Sequence, residues 1–239
     1  MRSHDRRVES VVETGPTLRF RDRSDAGQQL AARLTGLRML DPVVVGIAPD
    51  GMPVAAEIAR ALGVPLDTVA VEPLLLGEAG ELRLGTTAEG GTAFLDWSQA
   101  PLIDADPGAV DEALIATQKR LDERTHSWHR QVKPRRLHGR NVLLVGDLLA
   151  DEKTAVAAAC AVRDRGAAAV TYVAPLVKLE AAMVLTDWVD EILCLETGAS
   201  GLTEAACFEH CEPVSDDQVR LLLRELQSPR HSASRASAS

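Results

Sequence analysis

The chain has 239 residues, a formal net charge of −9 and four cysteines. An acidic balance of this size argues against a general nucleic-acid binder, which carries a basic face; no apolar run approaches the roughly 18 residues of a membrane-spanning helix. Apolar residues, at 46%, suffice for one large domain, but aromatics are only 3%, so Val, Leu and Ala must fill its core.

The amino terminus is charged with no apolar stretch behind it and does not read as a signal peptide. Cys160, Cys194, Cys207 and Cys211 form no dense disulfide framework and suit a reducing, cytoplasmic setting. Residues 1–16 are polar, with a short run at Val8–Val12 as a candidate edge strand. Asp22 or Ser24 can cap a helix whose Ala26, Leu30, Ala31, Leu34 and Leu37 fall at helical spacing. Pro42 introduces Val43–Ile47, a continuous apolar run that predicts a central parallel strand. Pro53 suits the first turn of a helix that ends at Gly63, and Leu66–Val71 predicts the next strand, completing a βαβ unit.

Leu82–Ala88 and Thr92–Asp96 alternate around Glu89–Gly90–Gly91, which predicts a β-hairpin insertion at 81–96 projecting from the sheet. A long charged helix then runs from Asp106–Pro107 to about Trp128 or Arg130. The basic cluster of Arg130, Lys133, Arg135, Arg136, His138 and Arg140 reads more simply as a solvated linker than as a phosphate contact. Strands are predicted at Val142–Val145, Ala168–Ala174 and Val189–Leu195, and helices at Thr154–Arg165 and Lys178–Leu185. A final helix, capped by Ser215, reaches about Leu226. Residues 227–239, rich in Ser, Ala and Arg, bury too little apolar area to order themselves.

The stretch Arg140–Ala155 carries the clearest site signal. It is a buried strand delivering a loop to its carboxyl end, where open α/β sheets bind ligands. Phosphates are held in such loops by backbone N–H groups and the start of the next helix. Here Asp151 and Glu152 stand where an anion is to be held. Gly146 to Lys153–Thr154 is one residue too long for a P-loop and lacks its second glycine. Cys207, His210 and Cys211 leave a tetrahedral metal set incomplete and read as packing, so no metal site is expected. Asp216 and Asp217 suit a helix start. His126 and His129 are expected to be solvated, and no Ser/His/Asp or Cys/His order points to covalent catalysis.

Several runs together resemble the bacterial type I phosphoribosyltransferase-like proteins. They are Phe20–Gly27, Val45–Gly46 through Pro53–Ala55, Leu62–Asp67, Glu81–Leu82 with Gly85, the Gly139–Arg140 lead-in to Val145–Asp147, and Pro213–Asp217. The resemblance covers 17–226, between the polar segment 1–16 and the tail 227–239. It implies a doubly wound, mostly parallel five-stranded sheet with the hairpin insertion and a C-terminal helix.

In active relatives the loop after the third sheet strand binds phosphoribosyl pyrophosphate. Two adjacent acids hold the ribose hydroxyls, and a Thr-Gly-Gly/Ala-Thr run wraps the 5-phosphate. Carried over, Gly146 replaces the first acid and Asp147 keeps the second. Leu148 replaces a glycine, Asp151–Glu152 replace Thr-Gly, and Thr154 survives. The usual Pro-Arg-Gly-Gly of the pyrophosphate loop reads Pro49–Asp50–Gly51–Met52, and the usual Arg-Lys pair after the second strand reads Val71–Glu72–Pro73.

A phosphate about 4 Å from two carboxylates meets repulsion on the order of several kcal/mol even at an effective dielectric near 20. The expectation is therefore a degenerate site with a non-catalytic binding or regulatory role. Asp147 is a vestigial catalytic candidate, and Asp50, Gly51, Asp147, Lys153 and Thr154 are the ligand-binding candidates. The alternative is an active phosphoribosyltransferase of nucleotide metabolism acting on an unidentified base or amine, using magnesium with phosphoribosyl pyrophosphate and cations from Lys153, Arg135 or Arg136, or from a neighbouring subunit. The expected partners are a small phosphorylated ligand and a homodimer or another protein, with neither nucleic acid nor membrane.

Overall fold

The computed structural model describes residues 8–10, 19–77, 82–96, 107–148, 151–198 and 207–226. Its centre is one sheet built from strands β1 (Val8–Ser10), β2 (Val43–Ala48), β3 (Leu66–Leu76), β4 (Leu82–Ala88), β5 (Ala93–Leu95), β6 (Asn141–Val145), β7 (Ala169–Lys178) and β8 (Glu191–Gly198). Their order is β1-β8-β7-β6-β2-β3-β4-β5. The pairings from β1 across to β3 are parallel, and those of β3 with β4 and β4 with β5 are antiparallel. The expected five parallel strands are β8, β7, β6, β2 and β3; β1 and the hairpin bring the described sheet to eight.

Both faces of the parallel strands are covered, which is why they read as unbroken apolar runs. On one face Val44, Ala48, Leu143 and Val145 pack against α1 (Arg23–Arg33) and α2 (Met52–Leu62). On the other, Val43, Val45, Val142 and Leu144 pack against α4 (Glu152–Asp164) and α5 (Leu179–Leu185). Asp22 caps α1 by accepting from Asp25 N at 2.8 Å. Gly63, with φ of 67°, ends α2 in the left-handed conformation that glycine adopts without strain. At the carboxyl end, α6 (Asp216–Glu225) opens on a capping box between Ser215 and Gln218.

The hairpin extends beyond the parallel strands as an antiparallel ribbon, since the pairing of β2 with β3 ends at Ala70. Strand β3 runs on past Val71 to Leu76, and β4 pairs along that extension from Val71↔Ala88 to Leu76↔Leu82. The hairpin thus lengthens the sheet and forms a small core of Leu74, Leu76 and Leu84 beneath Val110 of α3 (Pro107–Trp128). The expected start of α3 at Asp106 and the tail from 227 lie outside the described residues.

A buried polar knot fixes the hairpin tip. The Asp67 carboxylate, 1% exposed, accepts from Arg165 and from Arg135 N at 2.9 Å. Arg165 also donates to Glu89 at 3.0 Å and to Thr68 O at 3.2 Å. His129 belongs to this knot, not to solvent: its side chain is 8% exposed, and its Nε2 lies 3.8 Å from Asp67 Oδ1. Its ring turns inward because α3 ends beneath the hairpin, a relation the helical spacing alone does not contain. His126 is exposed, as expected.

Candidate functional site

Strand β2 passes through α2 to β3 on one side, whereas β6 passes through α4 to β7 on the other. The chain therefore turns away in opposite directions between β2 and β6, and a crevice opens at their carboxyl ends. It is a cleft of about 390 Å³ whose walls include Asp50, Gly51, Glu72, Asp147, Asp151 and Thr154. Four of the five ligand-binding candidates thus meet in one place. The fifth, Lys153, turns aside to pair with Asp96 at 2.9 Å.

The turn after β2 needs a glycine at 51, because a Cβ there would lie 2.6 Å from Val145 O and 2.7 Å from Ile47 O. This lets the turn sit directly on the strand ends and leaves Asp50 at the cleft, 41% exposed. The turn after β6 has a comparable constraint at Gly146. A Cβ there would collide with the hydroxyl of Tyr172 from the neighbouring strand β7. Tyr172 is buried, and burial, followed by the charges of Asp147 and Asp151, pushes its phenol pKa up, so it stays protonated.

Arg23, the first residue of α1, ties the two turns together. Its guanidinium donates to Asp147 Oδ2 at 3.0 Å and to Glu212 O at 2.9 Å, and lies 3.4 Å from Asp50 Oδ1. The other Asp147 oxygen accepts from Leu148 N at 2.8 Å. Burial works against the Arg23 charge, but Asp147 and Asp50 outweigh it and raise its pKa above the ordinary value.

At the start of α4 the geometry differs from the sequence reading. Asp151 is the N-cap, and α4 begins at Glu152, two residues before the expected Thr154. The Asp151 carboxylate accepts from Lys153 N and Thr154 N, each at 3.3 Å, and from Thr154 Oγ1 at 2.7 Å. Arg83 of β4 closes over it at 2.5 Å and reaches Thr154 Oγ1 at 3.1 Å and Thr86 Oγ1 at 2.7 Å. The amides and hydroxyl at this helix start are thus answered by the chain's own carboxylate.

On the opposite wall Glu72 pairs with Arg120 at 2.8 Å through Oε1, while its Oε2 is buried without a partner. Arg124 also lines the cleft and pairs with Asp216 at 2.9 Å. The acids that the sequence places here are therefore not bare: Asp50 and Asp147 share Arg23, Asp151 has Arg83, and Glu72 has Arg120. Sequence reasoning missed these arginines. The N-cap was readable, since Asp before a helical run is a strong start signal. The arginine contacts carried no local signal.

Elsewhere, the basic linker is partly structural. Arg140 pairs with Asp41 at 2.9 Å, and the Arg135 backbone joins the Asp67 knot. Cys207 is buried against Phe20 and Phe208. No helix among the described residues is long and apolar enough to cross a membrane.

The fold and cleft define a doubly wound α/β protein of the type I phosphoribosyltransferase kind. Two Mycobacterium tuberculosis proteins, from two strains and each named "putative phosphoribosyl transferase", are 32% identical to the chain over 200 residues. The match takes in 84% of this chain and 45% of each relative, so the chain spans about half the length of the curated relatives it matches. The crystal structure of TT1426 from Thermus thermophilus is 30% identical with a TM-score of 0.73, covering 88% of this chain and all of that one. No protein-family model matches. The chain belongs to the phosphoribosyltransferase-like family.

Proposed function

We propose that this protein is a phosphoribosyltransferase-like protein with a degenerate phosphoribosyl pyrophosphate site and a non-catalytic binding or regulatory role. The observation that carries the proposal is Asp151: its carboxylate takes the helix-start amides and the Thr154 hydroxyl that a 5-phosphate would use. A phosphate arriving there must displace a tethered anion that also holds Arg83. The neighbouring positions agree. Asp147, the retained ribose-binding acid, has both oxygens engaged, by Arg23 and by Leu148 N. Tyr172 fills the space beside Gly146 where active relatives carry the other acid.

These donors do not suit a magnesium–phosphoribosyl pyrophosphate complex, and no catalytic step is assigned to it. The cleft is better matched to a ligand with both charges, or to a protein surface that presents them, in a cytoplasmic setting. Calorimetric titration with phosphoribosyl pyrophosphate and magnesium, run on the native chain and on Thr154→Val, tests the reading, and no heat that depends on Thr154 is expected. Micromolar binding that Thr154→Val abolishes, or pyrophosphate release with any base or amine acceptor, would establish an active transferase instead.

A further inference from the structure

A second cleft lies on the flank between the end of α3 and α6, away from the strand ends. It has a volume of about 550 Å³, and its lining includes Trp128, Arg130, Asp217, Arg220, Leu221 and Arg224. Three guanidinium groups against one carboxylate is an unusual local balance in a chain of net charge −9.

The acids on α6 leave that imbalance standing. Asp217 is held by Arg220, Asp216 by Arg124 at 2.9 Å, and Glu225 by Arg60 at 2.9 Å. Arg220 is further fixed by donating to Ser127 Oγ at 3.0 Å. Among the described residues the guanidinium groups of Arg130 and Arg224 have neither an ion pair nor a hydrogen bond, and both residues are exposed. Beside them Trp128 is 1% exposed and its Nε1 has no partner, while Leu221 is 52% exposed. The lining thus combines unmatched cations and an apolar surface at Leu221, with the buried Trp128 indole directly behind it.

We infer that this α3–α6 cleft binds a small phosphorylated ligand, with Arg130 and Arg224 on the phosphate and Leu221 against the organic part. Guanidinium groups match phosphate oxygens in a fixed fork, and the volume falls within the range of small-molecule sites. A concave site of this kind suits a compact ligand better than an extended acidic peptide. Arg124 lies 5.1 Å from the Trp128 ring centroid and also lines the strand-end cleft, so Trp128 reports on the ground between the two.

The test titrates the full chain with sodium pyrophosphate and with ribose 5-phosphate, reading calorimetric heat and the Trp128 indole N–H resonance. Binding is expected to weaken with added salt. The Arg130→Gln/Arg224→Gln double variant should weaken it by about tenfold or more, as expected for losing charge-assisted hydrogen bonds. Because both residues are exposed, the fold should survive, and far-UV circular dichroism checks this. Thr154→Val, in the other cleft, should leave this binding unchanged. Absence of heat and shift at millimolar probe, or binding that survives both the double variant and Thr154→Val, overturns the inference while leaving the degenerate-site reading intact. Binding lost in Thr154→Val but kept in the double variant places the anion at α4 and overturns both.

Discussion

Asp151, in the wall of the strand-end cleft, meets Arg83 of the hairpin at 2.5 Å, although 68 residues separate them in the chain. The carboxylate caps α4, and the guanidinium reaches down from the hairpin, so the contact fastens the hairpin over the helix start. Neither residue is deeply buried, and the ion pair by itself contributes only about 1 kcal/mol or less. Its consequence is for ligands, because the chain supplies both the anion and its counterion.

Replacing Asp151 separates its two roles. Asp151→Asn keeps a capping side chain and removes the charge; stability should change by less than about 0.5 kcal/mol, and weak phosphate binding that a second substitution, Thr154→Val, removes should appear in calorimetry. Asp151→Ala should also lose the cap, lowering stability by about 1 kcal/mol in urea unfolding. If neither variant gains phosphate binding that depends on Thr154, the self-occupied helix start is not what excludes it.

Arg23 is 6% exposed and serves two carboxylates. Arg23→Met should remove the ion pair with Asp147 and cost about 3 kcal/mol in urea unfolding, as for other broken buried pairs. Arg23→Lys should recover only part of this, since an ammonium cannot reproduce the fork that also reaches Glu212 O.

Restoring an acid at Gly146 should fail for a steric reason. Gly146→Asp drives its Cβ into the Tyr172 hydroxyl, and overpacking of this kind costs about 1–3 kcal/mol. Combining it with Tyr172→Phe should relieve a measurable share, so the double-mutant cycle is non-additive. Additive costs would mean that the hydroxyl is not the obstacle.

Glu89 provides a pH test. Burial raises its carboxyl pKa above the ordinary value of 4.5, outweighing the opposing effects of Arg165 and the Ala70 N–H. Between the unfolded and folded pKa values the native state holds more protons, so stability attributable to this group falls as pH rises through that window. The stability of the native protein relative to Glu89→Gln should therefore decline upward from about pH 4.5 and then level off. Arg165, Asp67 and His129 share the knot, so unfolding curves are best compared as differences between the two proteins. A difference that rises with pH would assign Glu89 an ion-pair role dominant over its burial.

The core elements were legible because their signals are local. Val43–Val45 and Val142–Val145 are apolar on both faces, as strands covered twice must be. Ser215 with Gln218, and Gly63 after Leu62, mark helix ends within a few residues. The hairpin was legible as a hairpin, but its place was not. Where β4 pairs depends on β3 continuing through Glu72 and Pro73, a run that reads as a break in the pattern.

The sequence by itself determined the doubly wound scaffold and brought Asp50, Gly51, Asp147 and Thr154 to its strand ends, because strand order carries each following loop to the same edge. It also showed acids where a phosphate site has cations or hydroxyls. Only the tertiary structure decided what those acids do. Arg23 reaches Asp147 across 124 positions, and Arg120 reaches Glu72 across 48, so no local window contains either pair. Charge at a site is a sum over neighbours in space, and sheet order and helix packing choose those neighbours.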